Sequence, residues 1–314
     1  MTPFADRLCR SIDKTASCLV AGCDPVLESL PTFIVEEAQR SARSDSDLIE
    51  RSLGLFCDTF IAAIEGRVAA IKPNIAFFEQ YGLPGLTVFA HLCRVAREKD
   101  IPVIIDAKRG DIGSTAAAYS AAFLGRSKVG GRSFHAFEGD ALTVNPYLGF
   151  DTLEPFMKDC EEHGKGIFVL VQTSNPGARD LQGLVSDGAS VSEHVARWLA
   201  INAKRLAGAS GWSGVGAVVG ASYPEEARKL REQLPSNFFL IPGFGAQGAD
   251  ARDSVAGFGL DSRGMKGGAL VNVSRGLIQG TASSSDELYA LMTTHVDRYN
   301  TQLRHAIAPL KGSI

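Results

Sequence analysis

Cysteine pairs, long apolar runs and an excess of one charge are all missing from this 314-residue sequence, and each absence removes a class of function. The six cysteines (Cys9, Cys18, Cys23, Cys57, Cys93 and Cys160) include no Cys-x-x-Cys. Neither a zinc knuckle nor a disulfide framework is therefore expected, and the cysteines read as buried free thiols in a reducing compartment. No apolar run approaches the ~18 residues of a membrane span, and the N-terminus carries Asp6 and Asp13 rather than a secretory apolar segment. No membrane association and a cytoplasmic location are expected. A net charge of −3 supplies no basic field, which argues against a nucleic-acid partner. The six histidines show neither His-x-His nor His-Glu-x-x-His spacing, so no metal site is read from them. There is also no Gly-x-Ser-x-Gly elbow and no Walker A sequence.

What the sequence does have is one stretch around which the rest is organised, from Ile101 to Thr115. Apolar, mostly β-branched residues run into Asp106-Ala107-Lys108-Arg109-Gly110-Asp111, and a helix-like Ala-rich segment follows. This is the pattern of a buried strand that ends in a polar site. Side chains alternate along a strand, so Asp106 and Lys108, two apart, should project to the same side of its end. Taken alone, the stretch reads first as a strand-end ion pair with Asp111 capping the next helix.

The remaining chain repeats this strand-then-helix alternation. Strands are expected near 17–22, 68–72, 101–106, 141–145, 166–172, 215–219, 238–242 and 269–273, with helix-like segments between them and a long final helix over 285–307. Eight alternating strands and helices in one domain, interrupted by loop insertions, predict an α/β fold of the (β/α)8 TIM-barrel type. A doubly wound open sheet is the alternative. In a barrel the active site is built from loops at the carboxyl ends of the strands. Nearly every informative polar residue falls there, including Asp24, Lys72, Asp106, Lys108 and Asp111 at the ends of the first three strands. Singly, Asp24 could be a turn residue before Pro25 and Lys72 a solvated strand-end lysine. Two lysines between aspartates would instead form an alternating-charge array, in which each charge holds its neighbours ionised.

Gly243-Phe244-Gly245-Ala246-Gln247-Gly248 has the Gly-x-Gly-x-x-Gly spacing, yet six strands precede it, whereas a dinucleotide fingerprint belongs on the first βα turn. Glycines also let backbone amides approach a phosphate closely. The loops after strands seven and eight of a barrel often hold phosphate, and Arg275 after the eighth offers a fork-shaped cation. A phosphate-binding loop around Gly243 and Gly245 is the preferred reading.

In this order, Asp24-Pro25, Lys72-Pro73-Asn74, Asp106-x-Lys108-x-x-Asp111-Ile112-Gly113, Thr173-Ser174-Asn175-Pro176-Gly177, the Gly243 loop and Ser274-Arg275-Gly276 resemble the orotidine 5′-phosphate decarboxylases. The resemblance runs from about Ser17 to Gly280. It implies Lys72, Asp106, Lys108 and Asp111 as a catalytic tetrad, with Asp24 on the ribose hydroxyls, Ser174 on the pyrimidine ring, and Gln247 and Arg275 on the 5′-phosphate. It further implies a homodimer in which Asp111, Ile112 and Thr115 enter the neighbouring subunit's site, and a reaction that uses neither metal nor organic cofactor. The chain resembles the longer bacterial subgroup, with extra length at 36–47, 125–139, 178–188 and 257–268.

The implied chemistry is demanding, because loss of CO2 from orotidine 5′-phosphate leaves a carbanion at C6 with no adjacent electron sink. Electrostatic preorganisation must do the work: Asp106 beside the substrate carboxylate, and Lys108 stabilising the developing charge and then protonating C6. Two alternatives are a Mg²⁺-dependent sugar-phosphate decarboxylase or aldolase on a related barrel, and a non-catalytic barrel that binds a phosphate ligand.

Overall fold

The computed structural model describes residues 1–245, 250–260 and 266–308. Eight parallel strands form its centre: β1 (Leu19–Cys23), β2 (Ala70–Pro73), β3 (Ile104–Arg109), β4 (Ala141–Val144), β5 (Gly166–Gln172), β6 (Ser213–Val219), β7 (Asn237–Ile241) and β8 (Ala269–Val273). They pair in chain order, and β8 returns to β1. The ring closes between β2 and β3 through bridges at Ile71 and Val103 and at Asn74 and Asp106. The fold is a (β/α)8 barrel, not an open sheet.

Helices of eight or more residues pack around it: α1 (Phe4–Thr15), α2 (Thr32–Gln39), α3 (Asp45–Ile64), α4 (Gly82–Glu98), α5 (Gly113–Phe123), α6 (Glu154–His163), α7 (Val191–Asn202), α8 (Pro224–Gln233) and α9 (Ser285–Ile307). Their starts follow the sequence closely. Ser44 and Ser284 accept hydrogen bonds from the amides of Asp47 and Glu287, and Ser190 with Glu193 forms a full capping box on α7. Each satisfies amides that the first helical turn leaves free.

Strand alternation divides the core in two. Val20, Ile104, Phe168, Leu240 and Leu270 point into the barrel, while Leu19, Ala21, Val103, Ile105 and Val271 pack outward against the helices. Phe4 and Leu8 of α1 join the inner cluster, with Phe4 edge-on to Phe168 at 6.1 Å. This helix plugs the amino-terminal end of the barrel and leaves the carboxyl end as the mouth. One step further along each strand, the inward positions become Lys72, Asp106, Thr143, Leu170 and Asn272, so the register that fills the core also sets the side chains of the mouth.

Three insertions have structure of their own. The expected long loop at 125–139 contains an exposed antiparallel hairpin, Ser127–Val129 with Arg132–Phe134. The loop at 178–188 folds as a short helix, Arg179–Gln182, and a hairpin pairing Val185–Ser186 with Ala189–Ser190. In the insertion at 257–268, Gly259–Leu260 pairs with Lys266–Gly267. Cys23, Cys57, Cys93 and Cys160 are buried free thiols. Burial pushes the Cys18 thiol up to about 12. No described helix is long and apolar enough to cross a membrane.

Candidate active site

A cavity of about 480 Å³ opens at the barrel mouth, lined on one side by Lys72, Asp106, Lys108 and Thr143. Its other walls come from Leu170, Thr173, Ser174, Asn175, Gln182, Val218, Leu240, Pro242 and Asn272. That size and mixed lining are typical of small-molecule sites.

Asp106 is the hub. Lys72 Nζ donates to Oδ2 at 2.6 Å, and Lys108 Nζ donates to Oδ1 at 2.6 Å. Thr143 Oγ1 donates to the same Oδ1 at 2.9 Å. Burial alone would raise the Asp106 carboxyl, but the ammonium groups of Lys72 and Lys108 outweigh it and hold the group well below the usual carboxylate range. Burial likewise opposes the Lys72 ammonium; the charges of Asp106 and Asp24 outweigh that and raise it above the ordinary lysine value. The two lysines differ in access. The Lys72 side chain is 7% exposed and that of Lys108 is 48% exposed. Lys72 is held in the wall, and Lys108 faces the open cavity.

Simple alternation does not produce this arrangement. β3 runs to Arg109, past the expected end at residue 106, and its pairing with β4 slips between Ile105 and Arg109. Lys108 adopts φ +48°, a left-handed conformation that is uncommon for a side chain of this kind. Asp106 and Lys108 therefore meet through a bulged strand end.

The other sequence-selected residues lie around this hub. Asp24 follows β1 and is half-buried, and its Oδ1 is buried with no hydrogen-bond partner. Ser174 follows β5 and lines the cavity. A Cβ on Gly220 would sit 2.9 Å from Ser174 Cα, so glycine at the end of β6 lets the Ser174 loop approach. Gly243 (φ +106°) and Gly245 (φ +81°) bracket Phe244, which is buried edge-on to Tyr299 at 5.3 Å. That contact anchors Phe244 between two glycines whose backbone is left-handed. Arg275 is exposed after β8. Gln247 lies outside the described residues.

Asp111, Ile112 and Thr115 are not drawn into the cavity of their own chain. Asp111 Oδ1 accepts from the Ile112 amide at 2.7 Å, and Asp111 forms no ion pair among the described residues. The Ile112 side chain is 63% exposed, and Thr115 is exposed beside it at the start of α5.

Several cavity residues escaped the sequence reading. Thr143 and Asn272 occupy inward strand positions that alternation, applied to β4 and β8, would have found. The Asn272 Oδ1 is buried without a partner. Gln182 had no local signal: its amide oxygen accepts from Thr173 N at 2.8 Å, and its Nε2 donates to Thr173 Oγ1 at 2.7 Å. These bonds fold the segment after β5 back over the cavity.

Both Asp106 oxygens already accept from ammonium groups, which makes the mouth a poor donor set for a divalent cation. The one group of three potential metal ligands among the described residues is Asp159, Glu162 and His163 on α6, away from the cavity.

Comparison with known proteins identifies the family. Residues 56–285 match the model of the Orotidine 5′-phosphate decarboxylase / HUMPS family. The orotidine 5′-phosphate decarboxylase of Caldicellulosiruptor bescii is 42% identical over 278 residues, which is 88% of this chain and 90% of the relative. That of Rhodopirellula baltica is 43% identical over 279 residues, covering 88% and 89%. Among solved structures, Leishmania donovani OMP decarboxylase superposes with a TM-score of 0.72 at 29% identity, covering 98% of this chain and 99% of the other. The barrel, the charged hub at its mouth and these likenesses place the chain in the orotidine 5′-phosphate decarboxylase / HUMPS family.

Proposed function

We propose that this protein converts orotidine 5′-phosphate to uridine 5′-phosphate and CO2, the last step of de novo pyrimidine nucleotide synthesis, without a metal or organic cofactor. The observation that carries the reading is the Lys72, Asp106, Lys108 chain, with Asp106 held ionised and Lys108 open to the cavity. Asp106 stands beside the substrate carboxylate, where two like charges raise the energy of the bound substrate. As the C6–carboxylate bond breaks, its electron pair stays on C6. The Lys108 ammonium stabilises that charge and delivers its proton to C6, and Lys72 keeps Asp106 charged and oriented.

Asp24 binds the ribose hydroxyls, consistent with its partnerless buried oxygen. Ser174 reads the pyrimidine ring, and Gln247 and Arg275 hold the 5′-phosphate over the Gly243 and Gly245 backbone. Binding energy gained at the phosphate helps close the loops over the ring. The working form is a homodimer, in which Asp111, Ile112 and Thr115 of each subunit complete the partner's site. The exposure of Ile112 and Thr115 and the absence of an ion pair on Asp111 among the described residues support that sharing. The protein acts in the cytoplasm as an enzyme of nucleotide synthesis, with no nucleic-acid or membrane partner.

The test is CO2 release from orotidine 5′-phosphate in the presence of a strong chelator. Turnover that survives chelation supports the proposal. No turnover at micromolar enzyme overturns it in favour of a phosphate-ligand binding barrel. Activity that appears only on adding Mg²⁺ points to the sugar-phosphate class.

A further inference from the structure

We infer that Thr143 is the positioning residue that builds the reactive conformation of Lys108, an inference that rests on the decarboxylase reading of this site. Thr143 lies on β4, directly across from the bulge in β3. Ile105 pairs with Leu142 and Arg109 with Val144, so on the β4 side residues 106 to 108 are faced by Thr143 alone. The amides that a regular strand would have offered to the β4 backbone go to this side chain instead. Ala107 N and Lys108 N each donate to Thr143 Oγ1 at 3.0 Å.

A threonine hydroxyl has one proton and two lone pairs. Here all three are used: two acceptances from the bulge amides and one donation to Asp106 Oδ1 at 2.9 Å. The residue is 1% exposed. Nothing on the hydroxyl is left for substrate, so Thr143 acts through its neighbours. It holds the left-handed turn at Lys108 (φ +48°), which L-residues other than glycine adopt only when the surroundings enforce it. It also fixes the rotation of the Asp106 carboxylate, because the oxygen it donates to is the one that receives Lys108 Nζ at 2.6 Å. One side chain thus sets the backbone under the proton donor and the carboxylate that orients its ammonium. The requirement is for a hydroxyl at this inward position; an apolar residue of the same size would fill the space and release both.

Two substitutions separate this role from packing. Thr143→Val keeps the shape and loses the hydroxyl, and Thr143→Ser keeps the hydroxyl and loses one methyl. We expect Thr143→Val to lower kcat about 10- to 100-fold, the scale of a lost hydrogen bond to a charged group, with the Kd for uridine 5′-phosphate changing less than about threefold. Thr143→Ser should recover most of kcat. Hydrogen exchange of peptides spanning 104–109 is read on the same proteins, and should be faster in Thr143→Val than in wild type or Thr143→Ser. An unchanged kcat in Thr143→Val, equal impairment in the two variants, or loss of nucleotide binding together with kcat would each overturn the inference. If wild type itself fails to decarboxylate orotidine 5′-phosphate, the reading of the site fails, while the exchange data still report whether Thr143 clamps the turn: unchanged exchange in Thr143→Val refutes the clamp and faster exchange upholds it.

Discussion

On the β2–β4 side of the mouth, Lys72, Asp106, Lys108 and Thr143 satisfy one another at 2.6 to 3.0 Å without any ligand. On the β7–β8 side, Arg275 and Gly245 are exposed, and Phe244 between Gly243 and Gly245 is anchored on Tyr299. The contrast fits a division of labour. Groups that must be oriented before charge develops are fixed by burial and mutual bonding, since reorienting them during the reaction would add to the barrier. The groups proposed to grip the distant phosphate would gain their contacts on binding, where that energy can draw the loops closed.

Substitutions can break this contrast from either side. The largest effect is expected from Asp106→Ala, which should abolish measurable decarboxylation and also destabilise the fold. It leaves Lys72 buried without its nearest carboxylate, a loss of about 3–5 kcal/mol by analogy with broken buried ion pairs, readable in denaturant melts. Lys108→Ala should lower kcat by about 10⁴-fold while leaving stability nearly unchanged, because that side chain is half exposed. On the other side, Arg275→Ala should raise KM about 10- to 100-fold with no change in melting, the mark of a contact made only with ligand.

A mixing experiment extends the comparison across the proposed dimer interface. Equal amounts of Lys108→Ala and Asp111→Ala protein, each inactive alone, should recover about a quarter of wild-type activity if subunits exchange freely and sites are shared. No recovery with exchange demonstrated would make the sites self-contained.

The smallest expected effect concerns pH. Asp106 is held below its ordinary range, so its contribution to stability is present above about pH 4 and is lost as the pH falls through its lowered value. Lys72 is raised, so its contribution is present below about pH 10.5 and is lost as the pH rises beyond that. Between about pH 5 and about pH 9 the hub should give a flat stability profile, and Asp106→Asn should remove part of the acid limb. A slope in wild type across neutrality that disappears in Asp106→Asn would show that the carboxylate titrates where the geometry says it cannot.

Much of this was legible in the sequence because two simple periodicities carried it. Strand alternation and strand-to-helix repetition marked all eight strands, and charges placed at strand ends identified Lys72, Asp106 and Lys108 as one group. The bulge was not legible: alternation assumes a regular strand, and nothing in Ala107-Lys108 announces a left-handed turn. Thr143 is inward by simple alternation on β4, but its task was not legible, since that task exists only because β3 bulges opposite it. The hairpins at 127–134 and 185–190 lie in polar insertions, where strands of two or three residues leave no periodic pattern. Asp111 was singled out by its motif, and the contact proposed for it, across two subunits, is one that a single chain does not display.

The account stands most directly on Lys108. Wild-type and Lys108→Ala protein should be compared for CO2 release from orotidine 5′-phosphate and, in parallel, for binding of uridine 5′-phosphate. Wild type should release one CO2 per uridine 5′-phosphate formed, and the variant should bind the nucleotide with near-normal affinity and release almost none. A variant that turns over at a rate close to wild type would contradict the account, because the proton at C6 would then have to come from elsewhere.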